Sequence, residues 1–158
     1  MNLLDFKNDY LKLQKKHSLP SFEDMNSAFD IGKIKRDSGN FLRDIRRVMV
    51  EKVAHYLRLM EIIINPSQAS PTFLLLLKEI TSADKKVLDS VFSSFMEIEL
   101  SSYKLDVVSN DKDETEFILK IFGVWNEKLQ DLLKLLGMLE RNWKQAPTLK
   151  KNTSNYFN

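Results

Sequence analysis

The feature that most restricts how this chain can fold is a heptad pattern of apolar residues near its C-terminal end. Over residues 112–144 the apolar positions alternate between spacings of four and three residues. Such spacing places side chains on one face of an α-helix, where they can pack against another helix. The pattern therefore predicts one long helix, whose packing face comprises Ile118, Phe122, Trp125, Leu129, Leu132, Leu136, Leu139 and Trp143.

Helical periodicity also recurs through the rest of the chain. Further helices are predicted at the N-terminus, after Ser21, over residues 40–64 and over residues 83–105. Ser82 is the expected cap of the last of these, and Asp111 and Glu114 form the expected capping box of the long helix. No run of strictly alternating polar and apolar residues indicates a strand. These observations predict an all-α fold, an antiparallel helical bundle with a long C-terminal helix. We expect a single helical domain over residues 1–146 and a flexible polar tail over residues 147–158.

Residues 71–80 leave two alternatives open. Ser70 and Pro71 form a typical helix start, because serine caps a helix and proline suits its first turn. The Phe-Leu-Leu-Leu-Leu run that follows also has the length of a buried strand. The proline and the leucines favour a helix.

The composition argues against most classes of enzyme. The chain has no cysteine, four glycines and only His17 and His55 as histidines. Cysteine nucleophiles and cysteine-based zinc sites are therefore excluded, and no glycine-rich phosphate loop is present. Glu51 and His55 have a spacing that suits two metal ligands, but the sequence offers no third. We therefore expect no catalytic residue, metal or cofactor. An enzyme with an unrecognised carboxylate site is kept as an alternative.

The sequence lacks the signals of export and membrane insertion. The first residues have neither a basic region nor an apolar run, and polar residues and prolines interrupt the longest uncharged stretch, 62–77. The expectation is a cytoplasmic protein with no membrane partner.

Charge is distributed unevenly along the chain. Residues 33–52 contain seven basic and three acidic side chains, whereas residues 97–116 contain seven acidic and two basic ones. The first block suits an anion such as the phosphates of nucleic acid, because arginine pairs well with phosphate. The candidate anion-binding residues are Lys33, Lys35, Arg36, Arg43, Arg46 and Arg47.

Three interpretations of these charges remain open. The basic block can bind nucleic acid, or it can form a solvated helix face that pairs with acidic side chains of the same chain. It can also dock onto the acidic block of another subunit.

The long heptad helix suggests a function in assembly. At about 1.5 Å per residue it would extend roughly 50 Å, which is long for a domain of this size. The end of the helix predicted over residues 40–64 is apolar on nearly all sides. We therefore expect a scaffold or assembly subunit that self-associates or binds another protein. The interface candidates are Trp125, Leu129, Leu132, Leu136, Leu139 and Trp143.

One part of the sequence resembles a known family. The segments Ile45-Arg46-Arg47-Val48 and Arg58-Leu59-Met60-Glu61-Ile62, followed by a helix start at Thr81-Ser82-Ala83-Asp84, are similar to the helical domain of GINS replication-complex subunits. The similarity covers about 60 residues, roughly 40% of the chain. It implies a non-catalytic subunit of a helicase-associated, DNA-replication-type complex. The chain departs from that family because it has no recognisable small β domain and because a long helix occupies its C-terminus.

Overall fold

A computed structural model describes residues 3–34 and 39–146, except for the side chains of Leu3, Leu4 and Gln68. These residues form six α-helices and two short 3₁₀ turns, and they contain no strand. The prediction of an all-α fold with a long C-terminal helix is confirmed. The helices are α1 (Leu3–His17), α2 (Phe22–Phe29), α3 (Phe41–Ile64), α4 (Pro71–Leu76), α5 (Ser82–Val107) and α6 (Asp111–Gln145).

Polar side chains cap several of the helix starts. The backbone N–H of Asp24 donates to Ser21 Oγ (3.0 Å) at the start of α2, and that of Arg43 donates to Asn40 Oδ1 (3.1 Å) at the start of α3. Each bond satisfies one of the amide groups that have no partner within the helix. The helix starts at Ser21 and near residue 40 are therefore formed as the sequence predicts.

The caps of α5 and α6 lie one residue earlier than the sequence suggests. Thr81 caps α5 and exchanges hydrogen bonds with Asp84, where Ser82 was the expected cap. Asn110 caps α6 by accepting the N–H of Asp113 (3.0 Å), so the expected capping box of Asp111 and Glu114 is wrong. The consequence is that Glu114 does not cap the helix and its carboxylate is available to other partners.

Residues 71–80 begin as a helix and not as a strand, and this helix ends before residue 80. Ser70 Oγ accepts the N–H of Phe73 (3.2 Å), and α4 ends at Leu76, where a turn follows. No residue of α4 is buried.

The chain forms two compact units, and α3, α5 and α6 each contribute a segment to both. Unit 1 comprises Met1–Leu57 and Ser94–Glu127. Within it, α3 and α6 run in the same direction and α5 runs against them, as bonds such as Glu97–Lys120 require. Its core is rich in aromatic side chains, among them Phe6, Tyr10, Phe29, Phe95 and Trp125.

Unit 2 comprises Arg58–Ser93 and Lys128–Asn158. Its described core is aliphatic and contains Met60, Ile63, Leu88, Val91, Leu132, Leu135, Met138 and Leu139. Asn142 Nδ2 donates to the carbonyl of Leu76 (2.6 Å) and thereby fixes the end of α4 against α6. The single domain expected over residues 1–146 stays a prediction, and the tail expected over residues 147–158 lies outside the described residues.

Candidate functional site

A buried ion cluster joins three helices of unit 1. Arg46 of α3 is only 1% exposed and donates through Nε to Glu114 Oε2 of α6 (2.6 Å). Arg46 Nη2 donates to Asp106 Oδ1 of α5 (2.6 Å). Glu114 is fully buried, whereas Asp106 is 45% exposed. Two nitrogens of the Arg46 guanidinium, Nε and Nη2, are thus each bound to a carboxylate of another helix.

Arg43 and Ser109 complete this cluster. The NH2 group of Arg43 donates to Ser109 Oγ (2.9 Å), and Ser109 Oγ donates in turn to Glu114 Oε1 (2.8 Å). Arg43 Nε lies 3.5 Å from the same carboxylate oxygen. Because buried charges are costly unless they are paired and hydrogen-bonded, this arrangement explains how Glu114 stays buried. We refer to Arg43, Arg46, Asp106, Ser109 and Glu114 as the ion cluster.

The basic and acidic blocks of the sequence therefore meet within one chain. Pairing with acidic side chains of the same chain, as the second interpretation proposed, accounts for Arg43 and Arg46. Arg46 is buried, however, so it does not lie on the solvated helix face of that interpretation. Arg47 is exposed and forms no ion pair with a described residue. Lys33 is also exposed, and its Nζ lies 3.3 Å from Asp30 Oδ1. Two further anion-binding candidates, Lys35 and Arg36, lie outside the described residues.

The two histidines lie apart from any metal-like cluster. His17 Nδ1 is 3.1 Å from Thr115 Oγ1, and the exposed His55 stacks edge-on against Tyr56. Among residues 3–34 and 39–146 there is no group of three or more acidic, histidine or cysteine side chains that could hold a metal.

The interface candidates on α6 divide between core and surface. Trp125, Leu132 and Leu139 are buried within the units that contain them, and Leu129 and Leu136 are half-buried. Trp143 is 49% exposed. The prediction that this whole stripe forms one packing face is therefore only partly realised.

A more exposed apolar surface lies on α5 in unit 1. Met96, Leu100, Tyr103 and Val107 follow one another at helical spacings of four, three and four residues. Leu100 and Tyr103 are each 57% exposed and Val107 is 82% exposed, while Met96 is half-buried. We call these four residues the outer stripe. Val108, also strongly exposed, extends the apolar surface beyond the end of the helix.

The outer stripe was missed by sequence reasoning because α5 has apolar residues on two faces. Helical spacing places one apolar series on the packing face of α5, and all of its members except the half-buried Leu105 are buried: Leu88, Val91, Phe95, Ile98, Ser102 and Leu105. The sequence does contain a signal for the outer stripe, namely a second apolar series at heptad spacing on the same helix. A helix that packs on the core needs only one apolar face, so a second one indicates another contact surface.

Charged groups flank the outer stripe. The Tyr103 hydroxyl donates to Glu99 Oε1 (3.1 Å), and this hydrogen bond and the negative charge raise the pKa of Tyr103. Glu97 accepts from Lys120, whose hydrogen bond and charge lower the pKa of Glu97. Lys104 is exposed and pairs with no described residue. The surface therefore combines an apolar centre with a cation, Lys104, that forms no ion pair with a described residue but lines the same cavity as Asp113 and Glu116.

These observations define an all-α protein with an internal ion cluster and an exposed apolar stripe. Comparison of the chain with family models, with curated proteins and with solved structures gives no match. In the part of the chain that the structure describes, no helix combines the length and apolarity that crossing a bilayer requires.

Proposed function

We propose that the chain is a non-catalytic assembly subunit that buries the outer stripe of α5 against another protein chain. The observation that carries this proposal is the exposure of Leu100, Tyr103 and Val107 on one helix face. With Val108, these side chains expose roughly 300–400 Å² of apolar surface. The largest apolar patch on a monomer commonly has this size and is often functional.

The energetics of burial favour a protein partner for this surface. Burying one large aliphatic side chain contributes about 1.5–3 kcal/mol relative to leaving it in water. Tyr103 adds an aromatic side chain with a polar end, a type enriched at the centres of protein interfaces. Several such side chains on one rigid helix offset the cost of association better than the same residues on a mobile loop.

The ion cluster supports the same proposal indirectly. Its arginines and carboxylates are engaged with one another, so they stabilise unit 1 and leave few charges for a ligand. The resemblance to GINS subunits also implies a non-catalytic subunit of a larger assembly, and we extend the proposal to a complex of the DNA-replication type on that resemblance alone.

Site-specific photo-crosslinking tests this function. A benzoylphenylalanine at Val107, in the full chain expressed in the cells from which it derives, is expected to give one discrete adduct. The same group at Lys112, an exposed position outside the outer stripe, is expected to give none. The further change Leu100→Glu should abolish the Val107 adduct, whereas Leu100→Met should retain it. Adducts that form equally from both positions, or from neither, would contradict the proposal.

The alternative function, binding of nucleic acid, can be tested at Arg47. Since Arg43 and Arg46 are engaged internally, Arg47 is the described arginine of the basic block that can meet a phosphate. We expect Arg47→Glu to change the affinity for a labelled oligonucleotide by less than twofold, measured by fluorescence anisotropy at low salt. A tenfold loss, together with a steep salt dependence in the unmodified chain, would favour nucleic-acid binding instead.

A further inference from the structure

We propose that the partner of the outer stripe is a second copy of this chain, and that the two α5 helices pair in parallel. This inference rests on the proposed function and specifies the partner of the same surface. It follows from the heptad register of the stripe, from the charges beside it and from the area that it offers.

The register assigns the stripe to the seam of a two-stranded coiled coil. Leu100 and Val107 occupy a positions, and Met96 and Tyr103 occupy d positions. In a parallel pair each of these residues meets its own counterpart, so Leu100 faces Leu100 and Val107 faces Val107. Within parallel coiled coils, a β-branched a residue such as Val107 favours two strands over three or four.

The flanking charges select the parallel orientation. In this register Glu99 is a g residue and Lys104 is the e residue five positions later, and parallel coiled coils bring that pair together between chains. Lys104 forms no ion pair with a described residue, and Glu99 accepts a hydrogen bond from the uncharged Tyr103 hydroxyl. Two Glu99–Lys104 pairs, one on each side, would therefore complement the seam.

The antiparallel orientation places these charges less favourably. There g residues face g residues and e residues face e residues, so Glu99 would meet Asp106 and Lys104 would meet Glu97. The first pair has like charges, and its Asp106 is already bound by Arg46. In the second pair, Glu97 is already bound by Lys120. Like charges that face each other across an interface disfavour association.

The area of the stripe predicts a dimer of modest affinity. A stable interface buries about 800 Å² on each partner, of which somewhat more than half is apolar. The exposed side chains of the outer stripe supply about half of that apolar share. Because only two heptads contribute, we expect dissociation in the micromolar range.

Disulfide trapping tests the pairing, and the absence of cysteine from the chain makes a single introduced thiol unambiguous. Parallel pairing brings the two copies of residue 107 close enough for a disulfide, which needs Cα atoms within about 7 Å. Under mild oxidation, Val107→Cys is expected to form a covalent dimer at least tenfold faster than the control Lys112→Cys. Antiparallel pairing would instead cross-link Val107→Cys only to Met96→Cys in a mixture of the two variants, and that result would overturn the proposed orientation.

Charge reversal provides a second, independent test. By sedimentation equilibrium, Lys104→Glu is expected to weaken dimerisation at least tenfold, and adding Glu99→Lys should restore it. Circular dichroism should show unchanged helicity, because Lys104 is exposed. A full chain that stays monomeric at millimolar concentration overturns the self-pairing. If the Val107 photo-adduct then contains a different protein, the proposed function stands, whereas loss of that adduct as well removes both.

Discussion

Replacing Arg46 by methionine is expected to lower the free energy of unfolding by about 3–5 kcal/mol. Methionine approximates the arginine stem but cannot donate to Glu114 or Asp106. Glu114 is fully buried and would lose its closest cationic partner, while Arg43 Nε remains 3.5 Å away. An uncompensated buried carboxylate causes most of the loss, since Asp106 is partly exposed and can be hydrated.

Two companion variants separate charge from packing in this prediction. Arg46→Met combined with Glu114→Leu should be more stable than Arg46→Met alone, because an apolar pair leaves no buried charge on these two residues. Arg47→Met alters the next residue, which is exposed, and should change the free energy of unfolding by less than about 0.5 kcal/mol. Urea unfolding followed by circular dichroism gives all three values. Equal losses for Arg46→Met and Arg47→Met would show that the ion cluster contributes little.

The ion cluster marks a limit of what the sequence alone can predict. The opposite signs of the two charge blocks are visible in the sequence, and pairing within the chain was among the interpretations. At 100° per residue, Arg46 lies at the edge of the face of α3 that carries Leu42, Ile45 and Met49. Whether such a residue faces solvent or core depends on which carboxylates neighbouring helices bring to that edge, and this is set by tertiary packing. The burial of Glu114 could not be foreseen because it was expected to cap α6.

The helices themselves were largely predictable because local signals determine them. Apolar periodicity and the caps at Ser21, Asn40 and Ser70 act within a few residues. The sequence predicted the buried residues of α6 only in part. Ile118 and Trp125 are buried as expected, but Ile121 is buried where the heptad favoured Phe122. A helix with a broad apolar face permits both choices, and the position of its neighbours decides between them.

Trp125→Ala is expected to destabilise the protein by about 3–5 kcal/mol, comparable to the loss of Arg46. The indole is 5% exposed and lies parallel to the ring of Phe95 at a centroid distance of 6.0 Å. It also contacts Phe29 and Tyr56, and Lys52 Nζ lies 5.4 Å from its centroid. Its removal would leave a cavity bordered by rigid rings, which cannot collapse easily to fill it.

Trp143 offers a matched control for this substitution. It belongs to the same helix and to the same predicted stripe, but it is 49% exposed. Trp143→Ala should therefore cost about half as much as Trp125→Ala, since only about half of the Trp143 surface leaves water on folding. Denaturant unfolding of both variants, with the slope of the transition compared as well, checks the difference. Similar losses at the two positions would mean that Trp143 is buried in solution, and hence that this end of α6 is covered by another protein surface.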